Sequence, residues 1–410
     1  MNNGYIVGID IGAYNIHGTI GRADKQGKLK ILSSCSIKSC GIKKGMIISI
    51  DDVSESIRTC IAKLETLVNV YIDEIYVGIP SGLCNLISSS GVVVIDNDQG
   101  EVTYEDIKRV LKSSGNIKIA RDEKIIDIIP EAYSIDDKSN VRNPLGMKGN
   151  KLEVITKVAV VDDGYISDIY KAAEKCSIRI VGTMVQGQAA STMILTEDDK
   201  SETIALVDVG GDCANIAIYS KEKLAYTSKI QIGGNSITND IAYFTKLSLG
   251  DSEIIKTKIY ESPIEDEVLQ FTTSRGESIQ LDKEKVKDVI NARAEEILRL
   301  IIEKLRSTVY YDDINSIILY GGGLSNFAFI NNMWKRINHK SLFIINSRTI
   351  NLQNPLTINS IGIVKYVYNE LKLNSEVIFY EDEIPLDDDE NIYSEDGIIK
   401  RIKDYFRKYF

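Results

Sequence analysis

Apolar positions along the chain follow two different periods, and the switches between them mark out its elements. Tyr5 to Ile9 and Gly18 to Gly21 read as β-runs on either side of a glycine-bearing loop, and Leu29 to Lys38 is a third run rich in Ile, Leu and Ser. From Asp51 to Val68 the period turns helical: Val53, Ile57, Ile61, Leu64 and Val68 share one face behind the acidic pair Asp51 and Asp52. Ile75 to Ile79 is a short buried strand that Pro80 ends. Strands, helix and strand predict an α/β unit.

From about Leu83 to Val161 the chain carries its own strand (Gly91 to Ile95), helix (Tyr104 to Ser114) and strand (Lys124 to Ile129), ending in NPLGMKGNKLEVITKVAVV. Residues 83–162 therefore read as a small inserted α/β subdomain. Ile166 to Cys176 is again an amphipathic helix, Arg179 to Val181 a short strand and Gln188 to Leu195 a helix, so residues 163–198 return to the unit begun by residues 1–82. In ALVDVGGDCANIAIY a β-run breaks at Asp208 and Gly210-Gly211 and then resumes. YIVGIDIGAYNIHGTIG, with Asp10 and Gly12 in its tip, has the same design, and two such hairpins about 200 residues apart predict a duplicated fold.

Residues 199–375 form the second lobe of this reading, with a return to the first near 360–375. Ile230 to Ala242 places Gly233-Gly234 between a strand and a helix. Lys283 to about Val309 is a long helix with the stripe Val286, Ile290, Ala294, Ile297, Ile301 and Leu305. Ser316 to Tyr320 is a strand that enters Gly321-Gly322-Gly323 and a following helix.

Glycine accepts positive φ and lets backbone amides approach an anion, and a carboxylate at such a turn can hold a Mg²⁺ water. Phosphate plus metal is the chemistry these tips suggest. Taken alone, each tip reads equally well as an ordinary glycine hairpin, and the Gly233-Gly234 segment as a plain strand-to-helix connection. Composition, at 43% hydrophobic and 26% charged, is that of a globular chain long enough for two or more domains. Its six cysteines contain no CxxC pair, and with only His17 and His339 a structural zinc site lacks ligands, so the cysteines are expected to be reduced thiols. MNNGYIVG has neither the basic start nor the apolar run of a signal peptide, and no stretch reaches the roughly 18 apolar residues of a membrane span. A cytoplasmic protein is expected, and a net charge of −10 argues against nucleic acid as a partner.

VGIDIGAYNI, DVGGDCANIAIY, IQIGGNSITNDIA, SEIIKTKIY and ILYGGGLSN resemble, in that order, the nucleotide motifs of the actin, sugar-kinase and heat-shock chaperone superfamily. Within it the chain is most similar to the bacterial FtsA family, through GIKKGMIISIDDVSESI, IYVGIPSGLC, KIIDIIPEAY, NPLGMKGNKLEV and GGNSITNDIA, and its insert sits where that family carries one. The likeness covers residues 5 to 368. It implies an actin-like two-lobed ATPase fold of duplicated ribonuclease H-like halves, with ATP and Mg²⁺ in the cleft and head-to-tail self-assembly. It also implies a role with other divisome proteins, tethering FtsZ to the inner face of the cell membrane at the division site. Carried over by position, Asp10, Gly12, Ala13, Tyr14 and Asn15 match the first phosphate loop, and Asp208, Gly210 and Gly211 the second. Gly234 matches a further phosphate contact, Glu253 and Lys256 the pair beside the adenosine, and Gly321, Gly322 and Gly323 the adenosine loop. Asp10 and Asp208 are the residues expected at the metal.

Three positions depart from the family pattern. Asn15 stands where the first loop usually has a lysine, Asp212 where glycine amides would meet phosphate, and Gln186-Gly187 where the family has Glu before Pro near the reaction centre. At ~5 Å and an effective dielectric near 20, a like-charge pair costs roughly 3 kcal/mol before metal screening. Nucleotide is therefore expected to bind weakly, with Asp212→Gly tightening it. A recruitment scaffold fits these losses best. An active ATPase or kinase on the same fold, or a pilus-assembly type actin homologue, are the alternatives.

Glu376 to Asp396 carries ten acidic residues and no lysine or arginine, and reads as a disordered linker. Gly397 to Phe410 follows with five basic residues. At 100° per residue Ile398, Ile399, Ile402, Tyr405, Phe406, Tyr409 and Phe410 fill an arc of roughly 140° with no charge inside it. Lys400, Arg401, Lys403, Arg407 and Lys408 flank that face, each contributing about 1 kcal/mol near anionic headgroups. This is the pattern of an amphipathic helix that lies on lipid. Flotation with anionic liposomes checks it: truncation after Gly397 should abolish co-migration and Phe406→Glu nearly so, whereas undiminished flotation of the truncated protein contradicts the assignment.

Overall fold

The computed structural model describes residues 4–24, 26–196, 198–261, 268–346 and 355–373. The first polar tip turns the chain back on itself: β1 (Tyr5–Ile11) pairs antiparallel with β2 (Asn15–Ala23), which pairs with β3 (Leu29–Lys38). A small hairpin, β4 (Ile42–Lys43) and β5 (Met46–Ile47), leads to α1 (Ile50–Val68). Ser49 caps that helix by accepting a hydrogen bond from the Asp52 amide, and Asn69, left-handed at φ 54°, ends it. β6 (Glu74–Ile79) then lies parallel to β1. The insert follows as β7 (Asn85–Val94), α2 (Tyr104–Ser114), β8 (Glu123–Ile135), β9 (Lys138–Val141) and β10 (Lys151–Asp162). α3 (Asp163–Lys175), β11 (Arg179–Val185) and α4 (Gln186–Ile194) complete the first half, whose sheet runs β11-β6-β1-β2-β3.

The second half begins with β12 (Thr203–Val209), β13 (Ala214–Ser220) and β14 (Lys223–Ile230), then α5 (Gly234–Thr245) and α6 (Leu249–Glu261). β15 (Val268–Thr272) and β16 (Ser278–Asp282) pair with each other ahead of α7 (Lys283–Arg306). β17 (Ile314–Tyr320), α8 (Ile330–Ile337), β18 (Ser341–Ile344) and α9 (Ile358–Leu373) close the described chain. Its sheet runs β14-β13-β12-β17-β18, an antiparallel meander of three strands extended by two parallel ones. The first sheet has the same plan, so the two hairpins do mark a duplicated fold.

Each sheet is covered by helices whose apolar stripes match its faces. In α7 the stripe read from the sequence is the buried one, from Val286 to Leu305, and it packs with Ile237, Ile241 and Trp334 over the second sheet. α9 crosses to the first sheet, where Ile363, Val364 and Val367 pack with Ile6 and Ala189, and its backbone touches β1, β2 and α4. Backbone contact is possible there because Gly362 faces the Ala189 carbonyl and Gly8 the Ser360 carbonyl, with no room for a Cβ at either. The insert has its own antiparallel sheet, β7-β10-β8-β9, with α2 on it and a separate core of Val110, Tyr133, Ile135, Leu152 and Val154.

Several elements run longer than their patterns suggested. The strand read as Lys124 to Ile129 continues through Pro130 to Ile135, because a bulge at Glu131 shifts the register between Ile155 and Thr156 and removes the need for a ladder amide at the proline. The strand read from Gly91 starts at Asn85, and that read as Arg179 to Val181 reaches Val185. The three glycines after β17 open onto turns, and the helix expected directly behind them begins only at Ile330. Among the described residues no helix is long and apolar enough to cross a membrane. The expected acidic linker at 376–396 and lipid-surface helix at 397–410 lie outside the described residues.

Gly362→Ala should cost about 2 kcal/mol in denaturant unfolding, since its methyl group would force α9 off α4. Gly250→Ala, which meets only the distant Ser248 hydroxyl, should cost nothing. Equal stability of the two variants would contradict this packing.

Candidate functional site

The two hairpin tips close in the same way. The Gly12 amide donates to the Asn15 carbonyl at 3.1 Å, and the Gly210 amide to the Cys213 carbonyl at 2.9 Å. Two residues before each glycine stands an aspartate, Asp10 on β1 and Asp208 on β12, so the duplicated sheets aim equivalent carboxylates at a common cavity. Its volume is about 300 Å³, at the small end of ligand sites. All the cleft residues named from the sequence line it: Asp10, Gly12, Ala13, Tyr14, Asn15, Asp208, Gly210, Gly211, Gly234, Glu253, Lys256, Gly321, Gly322 and Gly323. Asp212 and Gln186 line it as well.

Several of these residues act differently from what their positions suggested. Gly234 was expected to offer its amide to phosphate, but that N–H donates to the Gly210 carbonyl at 2.9 Å, and the Asn235 N–H to the Gly211 carbonyl at 2.8 Å. The start of α5 is thus consumed in supporting the second tip. Gly234 is required for close approach, since a Cβ there would stand 2.9 Å from Gly323 Cα. Gly321 has φ +87°, and a Cβ on it would collide with the Asp208 carboxylate, so only glycine fits. The Gly323 amide is bonded to the Val209 carbonyl at 2.7 Å.

Gln186, which stands where the family has a glutamate, donates its amide N–H groups to the Asp10 carboxylate and, at 3.4 Å, to the Gly78 carbonyl. Asp212 does add a negative charge beside the tip, but its carboxylate is engaged. It accepts the Lys44 amide of the β4–β5 hairpin at 2.6 Å and the Asn235 side chain at 2.8 Å, tying the lobes together. Lys256, 4% exposed, is held by Glu253 at 2.7 Å, the Thr238 hydroxyl at 2.9 Å and the Gly234 carbonyl at 3.1 Å. Burial pulls its pKa below that of an ordinary lysine, against the opposing charge of Glu253.

Sequence reading missed Asn359 and Lys229. Asn359, in the first turn of α9, donates to Asp10 Oδ2 at 3.1 Å and to Asp208 Oδ2 at 3.0 Å. It belongs to no glycine tip and carries no pattern of its own. Lys229, on the edge strand β14, lines the cavity opposite Asn215 and offers a cation from the second lobe where Asn15 offers none. The lining nonetheless has four carboxylates, Asp10, Asp208, Asp212 and Glu253, against two ammonium groups. Burial, then the neighbouring Asp208, pushes the Asp10 carboxyl up to about 7, while burial pushes Asp208 to about 6; Asn359 opposes both shifts. A hard divalent cation would relieve that repulsion. Two facing carboxylates are what Mg²⁺ ordinarily takes from a protein, the rest of its shell being water and phosphate.

Family models match two stretches of the chain: "SHS2 domain inserted in FTSA" over residues 82–160 and "Cell division protein FtsA" over residues 205–369. The chain belongs to the FtsA family. Cell division protein FtsA of Buchnera aphidicola subsp. Schizaphis graminum is 29% identical over 401 residues, covering 93% of this chain and 96% of that protein. Among solved structures, the PilM-PilN type IV pilus biogenesis complex aligns at TM-score 0.58 and 12% identity, covering 88% of this chain and 98% of that one. MreB 5 of Spiroplasma citri bound to AMPPNP aligns at TM-score 0.54 and 14% identity, covering 92% and 99%. These two likenesses show the fold, which is the actin-like one. Residues 82–160 are the part of the structure that carries the family's insert.

His17, opposite Asp10 across β1 and β2 and bonded through Nδ1 to the Ser36 hydroxyl at 2.7 Å, is held neutral by burial, with its pKa lowered to about 4. The unfolded chain takes up that proton near pH 6.5 and the native one only near 4, so the stability it supports is present above 6.5 and lost as pH falls between the two. The stability difference between wild type and His17→Gln should shrink by about 3 kcal/mol over that range in urea unfolding. A difference that is constant with pH would contradict a buried neutral imidazole.

Proposed function

We propose that the protein is a nucleotide-responsive scaffold that tethers FtsZ filaments to the inner face of the cytoplasmic membrane. The observation that carries the nucleotide part is the pair of equivalent tips, each with its aspartate, facing one cavity that Gly321–Gly323 also line. ATP would lie with its phosphates between Gly12–Asn15 and Gly210–Asp212 and its base against Gly321–Gly323. Asp10 and Asp208 would hold Mg²⁺, which supplies the charge that lets a polyphosphate enter an acidic cleft. Family membership supports the division role and the FtsZ partner, with other divisome proteins and further copies of the chain as additional partners. The apolar, base-flanked segment from Ile398 to Phe410 supports peripheral attachment to anionic lipid.

A second reading, an active ATPase, is favoured by the Asp10 carboxyl, whose pKa near 7 suits a general base. A bound divalent cation would pull that value back down, and Gln186, which cannot take a proton, already occupies Asp10. The scaffold reading therefore stands first.

Reconstitution on anionic vesicles tests it. FtsZ should float only when the full-length protein is present, with the amount responding to Mg-ATP; FtsZ left in the bottom fraction under all conditions would contradict the tether. Calorimetry tests the cleft. Because Asp212 also ties Lys44 to Asn235, Asp212→Asn is the cleaner way to remove its charge than Asp212→Gly. It should tighten Mg-ATP about tenfold, equivalent to about 1.4 kcal/mol. Nanomolar binding by the wild type would contradict the charge argument.

A further inference from the structure

Asn359 lines the cavity between the two lobes, and the two carboxylates decide which end of its amide faces them. Carboxylates only accept hydrogen bonds, so the amide nitrogen must face both Asp10 Oδ2, at 3.1 Å, and Asp208 Oδ2, at 3.0 Å. Both N–H groups are thereby used. The side chain is 6% exposed, and its other end, Oδ1, is buried with no hydrogen-bond partner. Buried amide oxygens are ordinarily bonded, and one left bare on a side chain that bridges two carboxylates points to a ligand.

The backbone that carries it is fixed. Ser360, the next residue, bonds to the Thr19 hydroxyl at 2.7 Å and to the Thr357 carbonyl at 3.0 Å, and its carbonyl presses against Gly8. The amide itself can still turn about its own side-chain bonds. A half-turn exchanges nitrogen for oxygen and changes the group that faces the two carboxylates from a donor pair into a hard oxygen acceptor of the kind Mg²⁺ takes.

We propose that Asn359 is a metal-site residue: a neutral placeholder between Asp10 and Asp208 while the cleft lacks a cation, and an oxygen donor to the cation's shell once one enters. The inference rests on the reading of the cleft as a nucleotide and divalent-cation site. It adds that cation entry is coupled to the lobe interface, because the placeholder joins β1 of one lobe to β12 of the other. No local sequence pattern marks this residue, since the three groups come together only when α9 returns to the first sheet.

The test uses Mn²⁺ as the probe, followed by electron paramagnetic resonance on the full-length protein, with and without ADP. Asn359→Asp, which adds a charged oxygen donor at the same place, should tighten Mn²⁺ at least tenfold without nucleotide. Asn359→Ala should weaken it at least threefold, and Asp10→Asn should remove the site. Circular dichroism establishes that each variant is folded, and if the alanine variant is not, the aspartate variant alone decides. Mn²⁺ affinity indifferent to residue 359 overturns the inference. Fluorescent ADP titrated in saturating Mg²⁺ separates this result from the cleft reading: ADP binding with an indifferent residue 359 sinks only the inference. A Mn²⁺ response as expected, with no ADP binding, upholds the metal role and overturns the nucleotide reading.

Discussion

Two carboxylates from two lobes, brought together out of water, are the constraint on which the rest of the cleft depends. Asp10 and Asp208 would repel each other and lose hydration if nothing answered them. The protein answers with neutral amides: Gln186 on Asp10, and Asn359 on both. Each amide donates without adding charge, and the Asn359 bond opposes the rise that burial imposes on both carboxyls. The neighbouring backbone is shaped around this arrangement, most plainly at Gly321, where any side chain would strike the Asp208 carboxylate.

The same constraint explains how the backbone donors are divided. The amides at the start of α5 and at Gly323 are spent on the carbonyls of the second tip and the end of β12, which fixes the tip against α5 and the glycine run after β17. On the proposed reading, phosphates would meet the two tips and Lys229, with a divalent cation between the aspartates. Interlobe bonds from Lys44 to Asp212 and from Gly82 to Asn215 then hold the walls at one spacing. A scaffold whose shape reports nucleotide needs such a linkage, because a ligand shifts a conformational balance only by contacting the two lobes unequally in their alternative arrangements.

Much of this was legible in the sequence because it is local. The hairpin tips, the α7 stripe and the glycine run after β17 each follow from the spacing of neighbouring residues; the tips and the glycine run fell into the same cavity, and the stripe into the core over the second sheet. The roles of Gly234, Gln186 and Asp212 were not legible, since each is set by a partner distant in sequence: Gly210, Asp10 and Lys44 respectively for the bonds that matter most, with Asn235 also holding Asp212. Asn359 lies 349 positions from one of its partners, and nothing in its neighbourhood announces it. The long β8 was missed for a different reason: Pro130 looks like a strand end until the bulge beside it is seen.

The most direct test of the account is a crystal structure grown with Mn²⁺ and a non-hydrolysable ATP analogue. An anomalous manganese peak bounded by Asp10 and Asp208, with phosphates between the two tips and the base against Gly321–Gly323, is the predicted result. Manganese elsewhere, or a cleft still bridged by the Asn359 amide at saturating nucleotide, would contradict it.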